Sequence, residues 1–485
     1  MKNKFLLSVI PAALCALLLM AACSKKQEET AAKPVEGNGT AAEQTQIADP
    51  DGGKIDYLAD LSTERFDGYD FRILIRKGNL ADQYLEEDSE DIVESAVYHR
   101  NKYVEDRYGV TISATESSDS NYETDALNTI LAGDDAYDLV FTHGRAAFTY
   151  AVQGAALNIH DISSIRLDKP WWARDISNAC TINGKLYVLS GDISSQPLGA
   201  AMCLLFNKRI FDELGFDYPY QMVRDGEWTF EEFAYLSKKG GKDLNGDGVL
   251  TPADDQFGFA AEEWESPMAI LYCGGQKIYD KDDDGELYLS LYSNKTVEIY
   301  DRFFNLLNSE SSLLQTSANH YVGGSVFPEG RAMFKDSEIR HAKTLRNMDD
   351  DFGILPYPKF DENDVYASAS NGGTHLIIVP VTVSDPERTG AIAEALCAIG
   401  SRDVIPAFYE QSLKTKYSRD SESEEMLDII KDSLVFDIGY LAGGTYQSCG
   451  KDLANAENHD FSSYYAARET KAKTAVEEFM ENYGK

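Results

Sequence analysis

Positive charge is what this sequence is shortest of. Its 485 residues carry 45 Lys and Arg against 81 Asp and Glu, a formal net charge of −36. Nucleic-acid binding is thereby excluded, because affinity for phosphate backbones comes chiefly from clustered Lys and Arg. Cysteine is scarce too: seven residues, with no CxxC pair and no zinc-ligand spacing, support neither a redox motif nor a structural zinc site. Only the extreme N-terminus holds an apolar run suited to a bilayer, so a polytopic membrane protein is excluded. A Walker loop, an HExxH helix and a Gly-x-Ser-x-Gly elbow are all missing, and the seven His are scattered. Apolar material is not lacking: 43% hydrophobic residues, with 28 Tyr and 22 Phe, supply cores for two or three domains.

The first segment reads as an address. Lys2 and Lys4 precede an apolar stretch from Phe5 to Met20, broken by Pro11, and the small residues Ala21 and Ala22 lead to Cys23. Leu19-Met20-Ala21-Ala22-Cys23-Ser24 resembles the lipobox of bacterial lipoproteins, with Met20 where such boxes more usually carry Leu. That resemblance implies a signal peptide over 1–22, a covalent lipid on Cys23, and an extracytoplasmic protein touching the membrane through its anchor only. From 23 to about 60 the chain is mainly polar and small residues, which bury too little surface to offset chain entropy and read as a flexible tether. Cys180, Cys203, Cys273, Cys397 and Cys449 remain, an odd number far apart, expected as buried free thiols with one disulfide left open.

The body begins with Phe71–Ile75, whose alternation predicts a strand, followed by a helical period through Ile92, Val93, Ala96, Val97, Tyr103 and Val104. Val110–Ile112 and Tyr137–Phe141 read as strands around a short helix, Ala126–Leu131. Strand, helix, strand, helix, strand indicates an α/β fold with a parallel sheet. Ligands in such sheets sit beyond the carboxyl ends of the strands, which points at Arg76-Lys77 and Thr142-His143. Further on, Thr229-Phe230-Glu231-Glu232 has the spacing of a capping box opening a helix. Helices are also expected over Val297–Leu307, Glu329–Phe334, Ala391–Ala398 and Glu424–Ile430.

Several blocks then recur in a familiar order. Tyr137-Asp138-Leu139-Val140, Asn183-Gly184-Lys185-Leu186-Tyr187, Leu205-Phe206-Asn207-Lys208-Arg209-Ile210-Phe211 and Gly226-Glu227-Trp228-Thr229-Phe230 come first; Phe327-Pro328-Glu329-Gly330-Arg331 and Phe352-Gly353-Ile354-Leu355-Pro356 follow. From Phe71 onward this order resembles the family-1 extracellular solute-binding proteins, the maltose-binding-protein-like lipoproteins that serve ABC importers. The resemblance implies a two-lobed periplasmic-binding-protein-like fold of type II, with lobes over 61–199 plus 375–430 and 200–374 plus 431–485. Crossing strands would then lie near Gly199–Met202, Asn371–His375 and Lys431–Ser433.

Asp243-Leu244-Asn245-Gly246-Asp247-Gly248-Val249-Leu250-Thr251-Pro252-Ala253-Asp254 is the sharpest local signal. It places oxygen side chains at loop positions 1, 3 and 5, Gly at 6, the Val249 carbonyl at 7, the Thr251 hydroxyl at 9 and an acid at 12, the ligand order of a calcium loop. A structural Ca²⁺ held by Asp243, Asn245, Asp247, Val249, Thr251 and Asp254 is expected; a solvated acidic turn is the alternative. Asp280–Gly285 repeats the acidic start but ends on Leu291, and reads as a hairpin turn.

Trp172, Trp264 and, less centrally, Trp171 are expected to stack on ligand, since sugar C–H faces pack against aromatic planes while hydroxyls bond to polar side chains. Asp192, His143 and Tyr440 join them because each falls beside an expected strand end or crossing, whereas Trp228, at a helix start, is expected in the core. The reading is therefore a monomeric, non-enzymatic solute-binding lipoprotein that is expected to capture a small molecule, a saccharide by its aromatic content and the family resemblance, for ABC permease subunits. A secreted glycoside hydrolase, and a surface adhesin or sensor partner on the same fold, are the rivals.

Overall fold

The computed structural model describes residues 56–118, 123–316, 326–413 and 421–483. The signal segment, Cys23 and the tether as far as 55 lie outside the described residues. β1 (Asp70–Ile75) and β2 (Thr111–Glu116) run parallel, joined by the helix Ile92–Tyr108, and β3 (Leu139–His143) lies parallel on the other side of β1. The helix begins where the Asp91 carboxylate accepts from the Val93 and Glu94 N–H groups. It ends at Gly109 (φ 71°), where an added Cβ would lie 1.9 Å from the Asp67 carboxylate, so both backbone conformation and space require glycine.

A second sheet follows. β4 (Met202–Asn207), β5 (Phe257–Glu262), the hairpin strands β6 (Tyr279–Lys281) and β7 (Leu287–Leu289), β8 (Ser312–Gln315), β9 (Ala332–Glu338) and β10 (Phe352–Leu355) come in turn. Five of them form a sheet in the order β10-β4-β9-β5-β8, with β8 and β9 parallel to β5 and with β4 antiparallel to its neighbours. β11 (Ser368–Ala369) then leads to β12 (His375–Ile378), which returns to the first sheet antiparallel to β3, His375 opposite His143. The first sheet is thus β12-β3-β1-β2. β13 (Leu434–Val435) pairs with β11 in the passage between the sheets, and Ala201 bridges Ser370 beside it. The helix Ser421–Asp432 packs on β10, so the chain has joined the second sheet before Lys431.

The helix expected over Glu329–Phe334 is a correction: Gly330 (φ 74°) closes a turn and β9 starts at Ala332. Met333 and Phe334 are both fully buried, because a strand covered on two faces loses the alternation that marks strands in sequence. The capping hydroxyl of Thr229 does accept from the Glu232 N–H, and Asp280–Gly285 is the turn between β6 and β7. Trp228 is buried in an aromatic cluster with Phe233 and Phe334, its indole N–H donating to the Pro356 carbonyl at 3.0 Å. All five described cysteines are buried and free. Among the described residues no helix is long and apolar enough to cross a membrane.

Candidate functional site

The carboxyl ends of β1 and β3 and the amino end of β12 deliver Arg76, His143 and His375 to one place. The helix Gly144–Val152 starts directly after β3, and the His143 Nδ1 accepts from the Arg145 N–H at 3.1 Å. Burial, reinforced by the Arg76 and Arg145 guanidinium groups, pushes His143 down to about 3, and burial does the same to His375. Both imidazoles are therefore neutral.

Arg145 reaches from this strand end to an aromatic seat. Its guanidinium lies 5.0 Å from the Trp264 ring centre and 4.8 Å from that of Tyr440, and it donates to the Tyr440 hydroxyl at 2.6 Å. Such cation–π contacts contribute about 0.5–2 kcal/mol each, according to exposure. The Lys451 ammonium lies over the same Trp264 ring at 4.4 Å and pairs with Glu263 at 3.4 Å. Gly372 lets Arg145 pass, since an added Cβ would fall 2.5 Å from its Nε.

From the second sheet, β5 and β9 bring acids to meet these cations. Asp336 accepts from the Ser266 hydroxyl and from the Glu262 N–H at 3.1 Å. Burial raises Asp336 to about 6, and burial together with Glu262 raises the Glu265 carboxyl well above the ordinary range. Glu265 accepts from the Asn371 amide at 2.5 Å. Arg340, just past β9, pairs with Glu338 at 2.5 Å and donates to Gln196 at 2.6 Å. The site thus sets hydrogen-bond donors and acceptors of both signs around two aromatic rings, at the facing strand ends of the two sheets.

The six ligand residues expected from sequence fall into two groups. His143, Trp264 and Tyr440 meet through Arg145 in this cleft. Trp171, Trp172 and Asp192 instead line a separate cavity. Trp171 and Trp172 are 2% and 3% exposed, and both indole N–H groups donate to Glu394, at 3.0 and 2.6 Å. Sequence reasoning missed Arg145, Glu265, Arg340, Asn371 and Gln196. Arg145 had a signal, two residues past the strand end marked by His143; Glu265, Gln196 and Arg340 sit at or near the starts of helical segments and Asn371 in the passage between sheets, and none carries a motif.

In the acidic loop the carboxylates turn to the backbone. Asp243 accepts from the Gly246 and Gly248 N–H groups at 2.6 and 2.8 Å, Asn245 from Asp247, and Asp247 from Val249. Asp255, not Asp254, closes the loop, taking the Leu244 and Thr251 N–H groups at 2.8 Å each. Among the described residues no group of three or more His, Cys, Asp or Glu side chains is gathered so as to hold a metal.

No family model matches the sequence, and no curated protein matches it either. Solved structures match it in fold. UgpB from Mycobacterium tuberculosis in complex with glycerophosphocholine superposes with a TM-score of 0.56 at 14% identity, over 84% of this chain and 98% of that one. The cyclic alpha-maltosyl-1,6-maltose binding protein from Arthrobacter globiformis gives 0.55 at 14% identity, over 86% and 98%. An ABC substrate-binding protein from Listeria monocytogenes in complex with cycloalternan gives 0.52 at 13% identity, over 86% and 98%. The fold is that of the two-lobed, type II solute-binding proteins.

Proposed function

We propose that this chain is an extracytoplasmic solute-binding protein that captures a carbohydrate in the cleft between its sheets and presents it to an ABC importer. The observation that carries this reading is the seat formed by Trp264 and Tyr440, ringed by Arg145, Glu265, Arg340 and Asn371 where strand ends of both sheets converge. Rings suited to a sugar's C–H face, beside side chains that donate and accept, match a polyhydroxylated ligand. Two of the similar structures bear saccharide names, cycloalternan and cyclic maltosyl-maltose, which supports the same class. Ligand would displace Arg145 from the rings, and closure of the lobes on ligand would form the state that permease subunits recognise. The lipobox-like segment supports a lipid on Cys23, tethering a monomer to the membrane, and the order of oxygen groups from Asp243 to Asp254 supports a calcium ion in that loop. A thermal-shift screen of saccharides tests the function: a hit whose stabilisation disappears in Trp264→Ala supports it, and a screen without hits counts against it.

A further inference from the structure

The passage from β11 to β12 contains Gly372-Gly373, and this pair makes room for three arginines drawn from both sheets. Arg145, from the helix after β3, runs past Gly372, where an added Cβ would lie 2.5 Å from its Nε. Arg76, directly after β1, donates to the Gly373 carbonyl at 3.3 Å. A Cβ on Gly373 would lie 3.4 Å from the Arg76 Nη1 and 3.5 Å from the Arg340 Nη2, so these two guanidinium groups flank one small clearing. The two nitrogens are separated by no more than the sum of those distances, a gap that the oxygens of one carboxylate or phosphate bridge. Solvent reaches these side chains: that of Arg340 is 25% exposed, and Arg76 and Arg145 are partly exposed.

We propose that the ligand of the cleft is an acidic carbohydrate, whose carboxylate or phosphate sits against Arg76, Arg145 and Arg340 at Gly372-Gly373 while its ring lies on Trp264 and Tyr440. The proposal rests on the cleft reading and deepens it, naming the charge of the ligand. Three observations carry it. The first is the convergence itself: three guanidinium forks, the donors best shaped for an oxyanion, meet beside one glycine pair, and Glu338 pairs with only one of them, Arg340, at 2.5 Å. The second is the position of Arg145. A ligand ring that takes the place of its guanidinium on Trp264 and Tyr440 deprives it of two cation–π contacts and of the Tyr440 hydroxyl, and an acidic group on the same ligand gives the displaced cation a new partner. The third is the field at these strand ends. Burial first, then the charge of Arg76 with Arg340 adding to it, pushes His143 and His375 down to about 3, the sense of a positive surrounding that favours an anion. At the other end Glu265, raised well above the ordinary range, holds its proton more readily and so meets a sugar hydroxyl with less repulsion.

The test titrates the full chain calorimetrically with sugars matched except at C6: D-glucose against D-glucuronate and D-glucose 6-phosphate, and D-galactose against D-galacturonate. The expected result is that in at least one set an acidic member binds about tenfold tighter than the neutral one, the worth of a charge-assisted hydrogen bond. Whichever acid binds tighter identifies the oxyanion. Arg76→Gln should bring that ratio close to one through loss of affinity for the acidic sugar. Gly373→Ala should do the same without removing a charge, since its methyl group fills the clearing near ordinary contact distance from both guanidinium groups and only the Asn371 Oδ1, at 3.1 Å, has to give slightly. It keeps the test decisive where Arg76→Gln disturbs folding. No binding of any acidic sugar, neutral sugars at least as tight as their acidic partners, D-glucosamine tighter than D-glucuronate, or an acidic preference that survives both variants would each overturn the proposal. The cleft reading fails separately: neutral-sugar binding that Trp264→Ala abolishes and Arg76→Gln leaves alone sinks this proposal only, whereas binding that Trp264→Ala leaves intact sinks the cleft reading.

Discussion

Asp336 illustrates how much a single carboxyl at a strand end can weigh. It is 2% exposed, one of its oxygens has no hydrogen-bond partner among the described residues, and burial raises it to about 6 from an ordinary 3.8. A raised acid favours the fold below its unfolded value and loses that contribution as pH rises through its folded value. Relative to wild type, Asp336→Asn should therefore gain about 3 kcal/mol of stability between about pH 4 and about pH 7, roughly two units at 1.4 kcal/mol each. His143 and His375, pushed down to about 3, act in the opposite sense, losing stability as pH falls below 6.5, so the comparison with Asp336→Asn isolates the acid. Denaturant melts of both proteins across that range check it; parallel pH curves would contradict it. At this scale the sequence showed which aromatics were candidates but not which were free. Trp171 and Trp172 differ from Trp264 through Glu394, 223 and 222 residues further along the chain, and no local pattern announces that carboxylate.

Elements were legible wherever their ends carry chemistry. Asp91 and Gly109 bound one helix, Thr229 opens another, and Asp385 caps Pro386–Ile399. β9 was not legible, since full burial erases the alternation and Met333-Phe334 then reads equally well as a helix. The loop 243–255 lies between these cases: its residue order is that of a calcium site, while its carboxylates cap their own backbone. Calcium binding would turn Asp243 and Asp247 from those N–H groups toward the ion, with Asp254 joining them. Calcium at a hundredfold excess over Kd should stabilise the protein by about 3 kcal/mol, and Asp243→Ala should remove that gain. A melting curve indifferent to both calcium and EGTA would leave the loop an acidic turn.

For the whole molecule, the order of sequence blocks implied crossings near Gly199–Met202, Asn371–His375 and Lys431–Ser433; in the structure Ala201 bridges Ser370, and β11 pairs with β13. What it could not foretell was the partition of the expected ligand residues between a cleft and a separate cavity, which depends on long-range packing at Gln196–Gly199. Tethering is a property of the full chain as well: Cys23→Ser should move the protein from the membrane fraction to the medium or periplasm, and unchanged retention would remove the lipid anchor. The central claim, that carbohydrate is held between the lobes on Trp264 and Tyr440, is tested most directly by calorimetric titration of wild type and Trp264→Ala with the best hit of the saccharide screen. The account predicts that truncating the ring costs about 1–3 kcal/mol of binding free energy, the scale of burying a large side chain, with the melting temperature of the free protein little changed. Equal affinity in the two proteins would contradict it and place the ligand elsewhere.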